Sequence, residues 1–284
     1  MSDMRLLEIK KLNKSFNNKK ILTDINLSIS GGKIVGLLGK NGAGKSTLLK
    51  SICKFINPVN GDVYIDGKNI KDEGGCLDDV GILLEPVFFP YMSAYDNLAF
   101  YLNIHGKDRF IDEIDDILDL VGLIKNKNQK PTDFSFGMKQ RLGLAQALIG
   151  NPKKLILDEP FVGLDPVGVK DLINILKDQV KKRKMQVLIS SHQLFELNEL
   201  CNRVLVLYNG ELVFDGIPDF SPHLMLTLSD DYKKKISGIK LTDDKRVVEM
   251  GMDHVDKNLR EIMEYYIIKS IETKKNSLEQ FFID

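Results

Sequence analysis

No apolar run in the 284-residue chain approaches the length, roughly 18–20 residues, that spans a bilayer. The first residues, MSDMRLLEIKK, lack the apolar core of a signal peptide. Cysteine is scarce: Cys53, Cys76 and Cys201 are odd in number and widely spaced. That excludes a disulfide framework and a cysteine metal cluster, and it suits a reducing compartment. Net charge is also missing, since 40 Lys and Arg face 40 Asp and Glu. The chain therefore exerts no global pull on nucleic acid or anionic lipid, although a local basic patch stays compatible with the total. Internal repeats and low-complexity stretches are absent. These absences describe a cytosolic chain that meets a membrane only where a partner holds it there. What is present, 43% hydrophobic and 28% charged residues, suffices for one large domain or for one with a small appendage.

Apolar and polar residues alternate over 5–12 and 21–29, as in half-buried strands. KIVGLL (33–38) reads as a fully buried strand that enters a glycine-rich turn and the helical pattern KSTLLKSICKF. VYIDGKNI (63–70) is a hairpin turning at Asp66-Gly67, and VGILLE (80–85) is another strand. Ser93 to Asp96 forms a helix-start pattern. Ile111, Ile114, Ile117, Leu118 and Val121 mark an amphipathic helix. A helix over 136–149 precedes the strand LILD; a helix over about 166–183 precedes the strand QVLIS (186–190). A short helix and a hairpin turning at Asn209-Gly210 follow. Strands alternating with helices predict an α/β domain with a largely parallel sheet. After Gly216 the patterning weakens and charge rises, which predicts a small α/β appendage ending in a helix at SLEQFFI (277–283).

GKNGAGKST (39–47) follows the buried strand and opens a helix, which is the setting that the G-x-x-x-x-G-K-[ST] motif requires. Gly39, Gly42 and Gly44 let the backbone of Lys40, Asn41 and Ala43 curl with its N–H groups inward, and the helix N-terminus adds positive potential. Lys45 is placed to reach the β- and γ-phosphates, the Ser46 hydroxyl to ligate Mg2+, and Thr47 to donate to the α-phosphate. KKLILDEPF (153–161) sets two carboxylates at the end of a hydrophobic run. Burying either is costly unless a cation meets it. Asp158, at the tip of a strand expected beside the cradle, is assigned to the Mg2+. Glu159 points elsewhere and is assigned as the base for a water attacking the γ-phosphate. A phosphate cradle alone leaves kinases, GTPases, helicases and transport ATPases open.

Two further stretches narrow the class. DFSFGMKQRLGLAQALIGNPKKLILDEPFVGLDP (133–166) and VLISSHQLFELNELCNRVLVLYNGELVFDG (187–216) resemble the signature-to-D-loop and H-loop regions of the ABC-family ATPases, over about residues 4–216. The resemblance implies a P-loop ABC-ATPase fold: a mostly parallel core sheet with helices, an N-terminal antiparallel β subdomain and a helical lobe at about 86–150. The domain division expected is 1–216 and 217–284. It implies that Ser135, Phe136, Gly137 and Met138 occupy the signature and meet ATP held by a second subunit, Asp165 the D-loop facing that subunit, and His192 the switch contacting the γ-phosphate. Phe16 stands where an aromatic stacks on adenine; a plain core phenylalanine is the other reading. His105, His223 and His254 receive no role. Phe134, Phe136 and Met138 depart from the usual Leu-Ser-Gly-Gly-Gln. The backbone donors survive the swap, so the ATP sandwich is expected to persist.

Glu85, in GILLEPVFFPYMSAYDNLAFY (81–101), stands where the family has a glutamine that bonds Mg2+ or the attacking water. With the altered signature it resembles the branch that serves bacterial exporters of bacitracin-like antibiotics and lantibiotics. Glu85 is therefore expected as a Mg2+ or water contact that links the ATP state to a membrane partner. Val87, Phe88, Phe89, Tyr91 and Met92 are candidates for the groove receiving a helix of that partner. The resemblance thus implies an ATPase using ATP and Mg2+ at the cytoplasmic face of the cell membrane. Its partners would be separate transmembrane permease subunits and a second ATPase, identical or paralogous, with no nucleic acid. An antimicrobial peptide or antibiotic is the cargo implied. Lipid or polymer export, or a soluble ABC ATPase acting on ribosomes or DNA, are the alternatives.

Overall fold

The computed structural model describes residues 5–30, 34–72, 77–217, 223–251 and 255–274. Strands β1 (Arg5–Phe16) and β2 (Lys19–Ser30) form one long hairpin. Its turn residues Asn17 and Asn18 both have positive φ, 46° and 64°. Two such residues match the right-handed twist of the flanking strands. The strands expected over 5–12 and 21–29 therefore run on to meet. Strands β4 (Asn60–Ile65) and β5 (Lys68–Asn69), joined by the expected Asp66-Gly67 turn, complete an antiparallel sheet in the order β2-β1-β4-β5.

The second sheet has the order β10-β9-β3-β8-β7-β6. Its members are β3 (Ile34–Leu38), β6 (Val80–Leu83), β7 (Lys154–Leu157), β8 (Gln186–Ser191), β9 (Arg203–Tyr208) and β10 (Glu211–Gly216). All of them but β10 run parallel. Every residue of β3 and β7 is buried, as strands covered on both faces require. Lys154 is among them, and it stays buried because the Asp66 carboxylate meets its ammonium. Helix α1 (Lys45–Ile52) buries Leu48, Leu49 and Ile52 in one core with Leu22, Ile25 and Ile65 of the first sheet and Leu37, Leu188 and Leu205 of the second.

The residues 86–150 carry three helices, α2 (Ala94–Ile104), α3 (Ile114–Leu120) and α4 (Phe136–Leu148). Ser93 caps α2 by accepting the Asp96 N–H at 3.1 Å, as its sequence pattern predicted. The single amphipathic helix expected from Ile111 begins instead as a 3-10 turn, Asp108–Glu113. In a 3-10 turn residues i and i+3 eclipse, so Ile111 keeps the face of buried Ile114 without an α-helical start. Helix α4 lies close on β6. A Cβ added to Gly81 would stand 1.9 Å from the Ala147 carbonyl oxygen, and one on Gly143 would stand 2.7 Å from Leu83. Because the first contact is backbone, Gly81→Ala is expected to lower stability by about 3 kcal/mol. That is read as a fall in melting temperature; an unchanged melting point would mean that α4 does not pack this way.

Helices α5 (Pro166–Arg183) and α6 (Leu194–Leu200) complete the unit Met1–Ile217. The described residues of the unit Pro218–Asp284 form an antiparallel sheet in the order β12-β13-β11-β14 and the helix α7 (Val255–Met263). Its strands are β11 (His223–Leu228), β12 (Ile239–Leu241), β13 (Val247–Gly251) and β14 (Ile268–Lys274). Leu226, Leu228, Ile236, Val248, Met250 and Ile262 form its own core. The helix expected over 277–283 lies outside the described residues.

Candidate active site

Parallel strands bring their C-terminal ends to one edge of a sheet, and ligands bind outside that edge. Here β3 leads into the glycine loop, β8 into His192, β7 into Asp158 and Glu159, and β6 into Glu85. Strand β8 separates β7 from β3, so the acid pair sits one strand further from the cradle than direct neighbours would. Gly44 caps α1 with φ 108° and no side-chain bond, which leaves the first-turn N–H groups open to an anion. Ser46 is exposed and Thr47 half-buried at that end.

Lys45 is 5% exposed. Its ammonium donates to the Gly39 carbonyl at 2.7 Å and lies 3.0 Å from Glu159 Oε1. The cation that meets this half-buried carboxylate is thus the cradle lysine. Glu159 Oε1 has no aligned hydrogen bond besides that ion contact. Its other oxygen lies 2.8 Å from His192 Nδ1. Glu159 adopts φ 47°, a strained backbone for a side chain of this size. Ser190 Oγ accepts its N–H at 2.9 Å and Gln140 of α4 donates to its carbonyl at 3.2 Å, which together hold that conformation. The Ser190 hydroxyl in turn donates to Asp158 at 2.5 Å. The loop therefore joins Lys45, Asp158, Glu159 and His192 into one bonded group.

Four further residues belong to this group although sequence reading did not single them out: Ser190, Ser191, Gln140 and Glu196. Glu196 is buried, and its carboxylate accepts the Ser191 hydroxyl at 2.5 Å. Ser191 Oγ also accepts the Gln193 N–H at 2.9 Å, so both neighbours of His192 are tied down. Burial pushes the Glu196 carboxyl above its usual range; the Ser191 bond opposes this and the Glu159 charge adds to it. A buried glutamate four residues after a histidine, on the inner face of a short helix, was the available signal. Cys53 and Cys201 are bystanders, since burial alone pushes both thiols up to about 12.

The remaining predicted residues lie apart from that group. Phe16 is 46% exposed with the Lys14 ammonium 4.6 Å from its ring centre, so it presents a face to solvent and is no core residue. Ser135 caps α4, accepting the Met138 N–H at 3.3 Å; Phe136 is exposed, and Gly137 and Met138 are half-buried. Asp165 caps α5 through the Gly168 N–H at 2.9 Å. Glu85 is not joined to Asp158 or Ser46. Its exposed carboxylate pairs with Lys50 of α1 at 2.6 Å. This pair stands on the wall of a groove of about 550 Å³ lined by Phe55, Ile56, Val87, Tyr101, His105 and Gly143. Of the groove candidates, Val87 belongs to that lining; Phe89 and Tyr91 are exposed and Phe88 and Met92 half-buried.

A hard cation takes oxygen donors, and Mg2+ with a nucleotide is held by one or two protein oxygens, phosphates and water. The Ser46 hydroxyl and Asp158 carboxylate suit that demand. Among the described residues no cluster of three His, Cys, Asp or Glu exists to hold a metal alone. That pair of oxygen donors fits a metal that arrives with a polyphosphate.

A family model described as "ABC transporter" matches residues 22–162. The chain is 34% identical over 263 residues to the bacitracin transport ATP-binding protein BcrA of Bacillus licheniformis, covering 91% of this chain and 82% of that one. It is 36% identical over 220 residues to the lantibiotic transport ATP-binding protein SrtF of Streptococcus pyogenes, covering 77% and 94%. The methionine import ATP-binding protein MetN of Aliivibrio fischeri is 31% identical, covering 84% and 73%. The fold matches the dimeric structure of MJ0796, a bacterial ABC transporter cassette, with TM-score 0.68, 24% identity and coverage of 74% and 98%.

Proposed function

The chain belongs to the ABC transporter family as an ATP-binding and ATP-hydrolysing subunit, and on that footing we propose that it powers export of an antimicrobial peptide or similarly amphipathic substrate through separate transmembrane permease subunits. Residues 1–216 form the nucleotide-binding domain in this reading, and 217–284 an appendage. The protein sits at the cytoplasmic membrane face through its permease. No described helix is long and apolar enough to cross a membrane itself.

The residues divide the chemistry as follows. The loop from Gly39 to Thr47 binds the phosphates through its N–H groups and the α1 N-terminus, and Phe16 stacks on the adenine. An incoming phosphate competes with Glu159 for Lys45, which frees the carboxylate. Glu159, still beside His192, then takes the proton of a water attacking the γ-phosphate, and His192 orients that water and the phosphate. Ser46 and Asp158 would hold Mg2+, whose charge would offset that of the phosphate oxygens. Ser135 and Gly137 offer a hydroxyl and helix N–H groups to the nucleotide of a second subunit, identical or paralogous, and Asp165 faces that subunit.

The observation that carries the membrane partner is the groove beside Glu85, open on the lobe and partly apolar. The cargo class rests on the glutamate itself and on the likeness to BcrA over 91% of the chain. The test is to purify the tagged chain from gently solubilised membranes of its native cell. A stoichiometric polytopic membrane protein is expected. Ribosomes, DNA or no membrane partner would overturn the reading.

Glu85 adds a narrower expectation. Its pair with Lys50 is exposed, so it contributes only about 0–1 kcal/mol to stability. Glu85→Gln should leave the melting temperature within about 2 °C while changing the Mg2+ dependence of hydrolysis or its stimulation by the permease. Unchanged ATPase kinetics and unchanged peptide resistance would remove Glu85 from the mechanism.

A further inference from the structure

Phe136 replaces the small residue usual in its place, and the structure shows what its ring rests on. A Cβ built on Gly163 would stand 2.2 Å from Phe136 Cδ1 and 2.7 Å from Cε1. The ring therefore lies directly on the Gly163 backbone, which holds φ 79°. The next residue repeats the approach, since a Cβ on Gly137 would stand 3.1 Å from the Gly163 carbonyl oxygen. The first turn of α4 thus touches the 159–165 loop at two consecutive positions. One turn later Gln140 donates to the Glu159 carbonyl. At the far end of the loop Asp165 caps α5. The ring is nonetheless 61% exposed, so burial of its own surface is not its main contribution.

We propose that Phe136 is a positioning residue that fastens the first turn of α4 to the loop carrying Glu159 and Asp165, so that engagement of that turn by the second subunit's nucleotide is transmitted within the chain to the base. The proposal rests on the two-subunit reading above. It concerns the rate of the chemical step and not ATP affinity, because the cradle is built from other residues.

The test is a double-mutant cycle on the full chain, with kcat and KM for ATP measured for Phe136→Ala, Gly163→Ala and the double variant. Alanine at a positive φ is strained in both backgrounds, so that strain cancels in the cycle. What remains is the collision of the new methyl with the ring. Phe136→Ala is expected to lower kcat about tenfold with KM changed less than about twofold. Gly163→Ala is expected to lower kcat by more than that alone but by no more than about twofold on top of Phe136→Ala. That non-additivity, about tenfold, lies within the range for residues in contact. Phe136→Tyr keeps the ring and should hold kcat within about twofold of the wild type. Multiplying effects in the cycle, or a kcat for Phe136→Ala within twofold of wild type, would overturn the proposal.

A second measurement separates positioning within the chain from a direct contact between subunits. The mass of Glu159→Gln with and without Phe136→Ala is taken in ATP and Mg2+. Dimers in both support positioning. A dimer lost only on adding Phe136→Ala would make the ring a subunit contact and overturn the proposal. No dimer in either would overturn the two-subunit reading on which it rests.

Discussion

Replacing Glu159 by glutamine is expected to lower kcat for ATP hydrolysis by about 10²–10³-fold while ATP still binds. A positioned base contributes typically about 10²–10⁴-fold, and Glu159 is held for such a role. Its backbone is fixed by Ser190 and Gln140, and its carboxylate oxygens lie 3.0 Å from Lys45 Nζ and 2.8 Å from His192 Nδ1. The amide keeps the shape and one oxygen for His192 but cannot take a proton at neutral pH. It also releases Lys45 from a competing charge, so ATP affinity should hold or rise. The check is steady-state hydrolysis beside equilibrium nucleotide binding. A kcat within threefold of wild type would assign the base to another group.

Replacing Lys45 by alanine is expected to weaken ATP binding at least about 30-fold, or about 2 kcal/mol. The ammonium is buried and lies against both the Gly39 carbonyl and the Glu159 carboxylate. Removing it takes one of two partners from the half-buried Glu159 carboxylate, the other being His192, which also lowers stability of the empty chain by about 1–3 kcal/mol. Binding of a fluorescent ATP analogue and a thermal melt read the two effects. Retained affinity would mean that the phosphates bind elsewhere.

The parts of this site that were legible in the sequence are those whose geometry is local. The cradle, the buried strand before it and the helix after it lie within residues 34–52. Asp158 and Glu159 follow a four-residue buried strand whose last three residues are apolar, and the Asp66-Gly67 and Asn209-Gly210 turns have the positive φ their residue types favour. The Asn17-Asn18 turn carries the same signal, so the long first hairpin was within reach of the same reasoning. Legibility ends where strand order decides. Nothing local states that β8 lies between β3 and β7. Without that order, Ser190 has no evident tie to Asp158, 32 residues away. Glu85 shows the same limit. Its type suggested a place among the acids of the metal site, but its neighbour is Lys50, 35 residues away on a helix whose packing the sequence leaves open. Phe136 is a third case, because its support is a glycine's missing side chain 27 residues on, a contact made by backbone shape alone.

The central claim is that one chain's cradle and another chain's α4 N-terminus close on the same ATP. The most direct test is the solution mass of the Glu159→Gln variant in saturating ATP with Mg2+, compared with ADP. The account predicts twice the 32.1 kDa chain mass with ATP and a single chain with ADP. A 32.1 kDa species that binds ATP but stays single would contradict it.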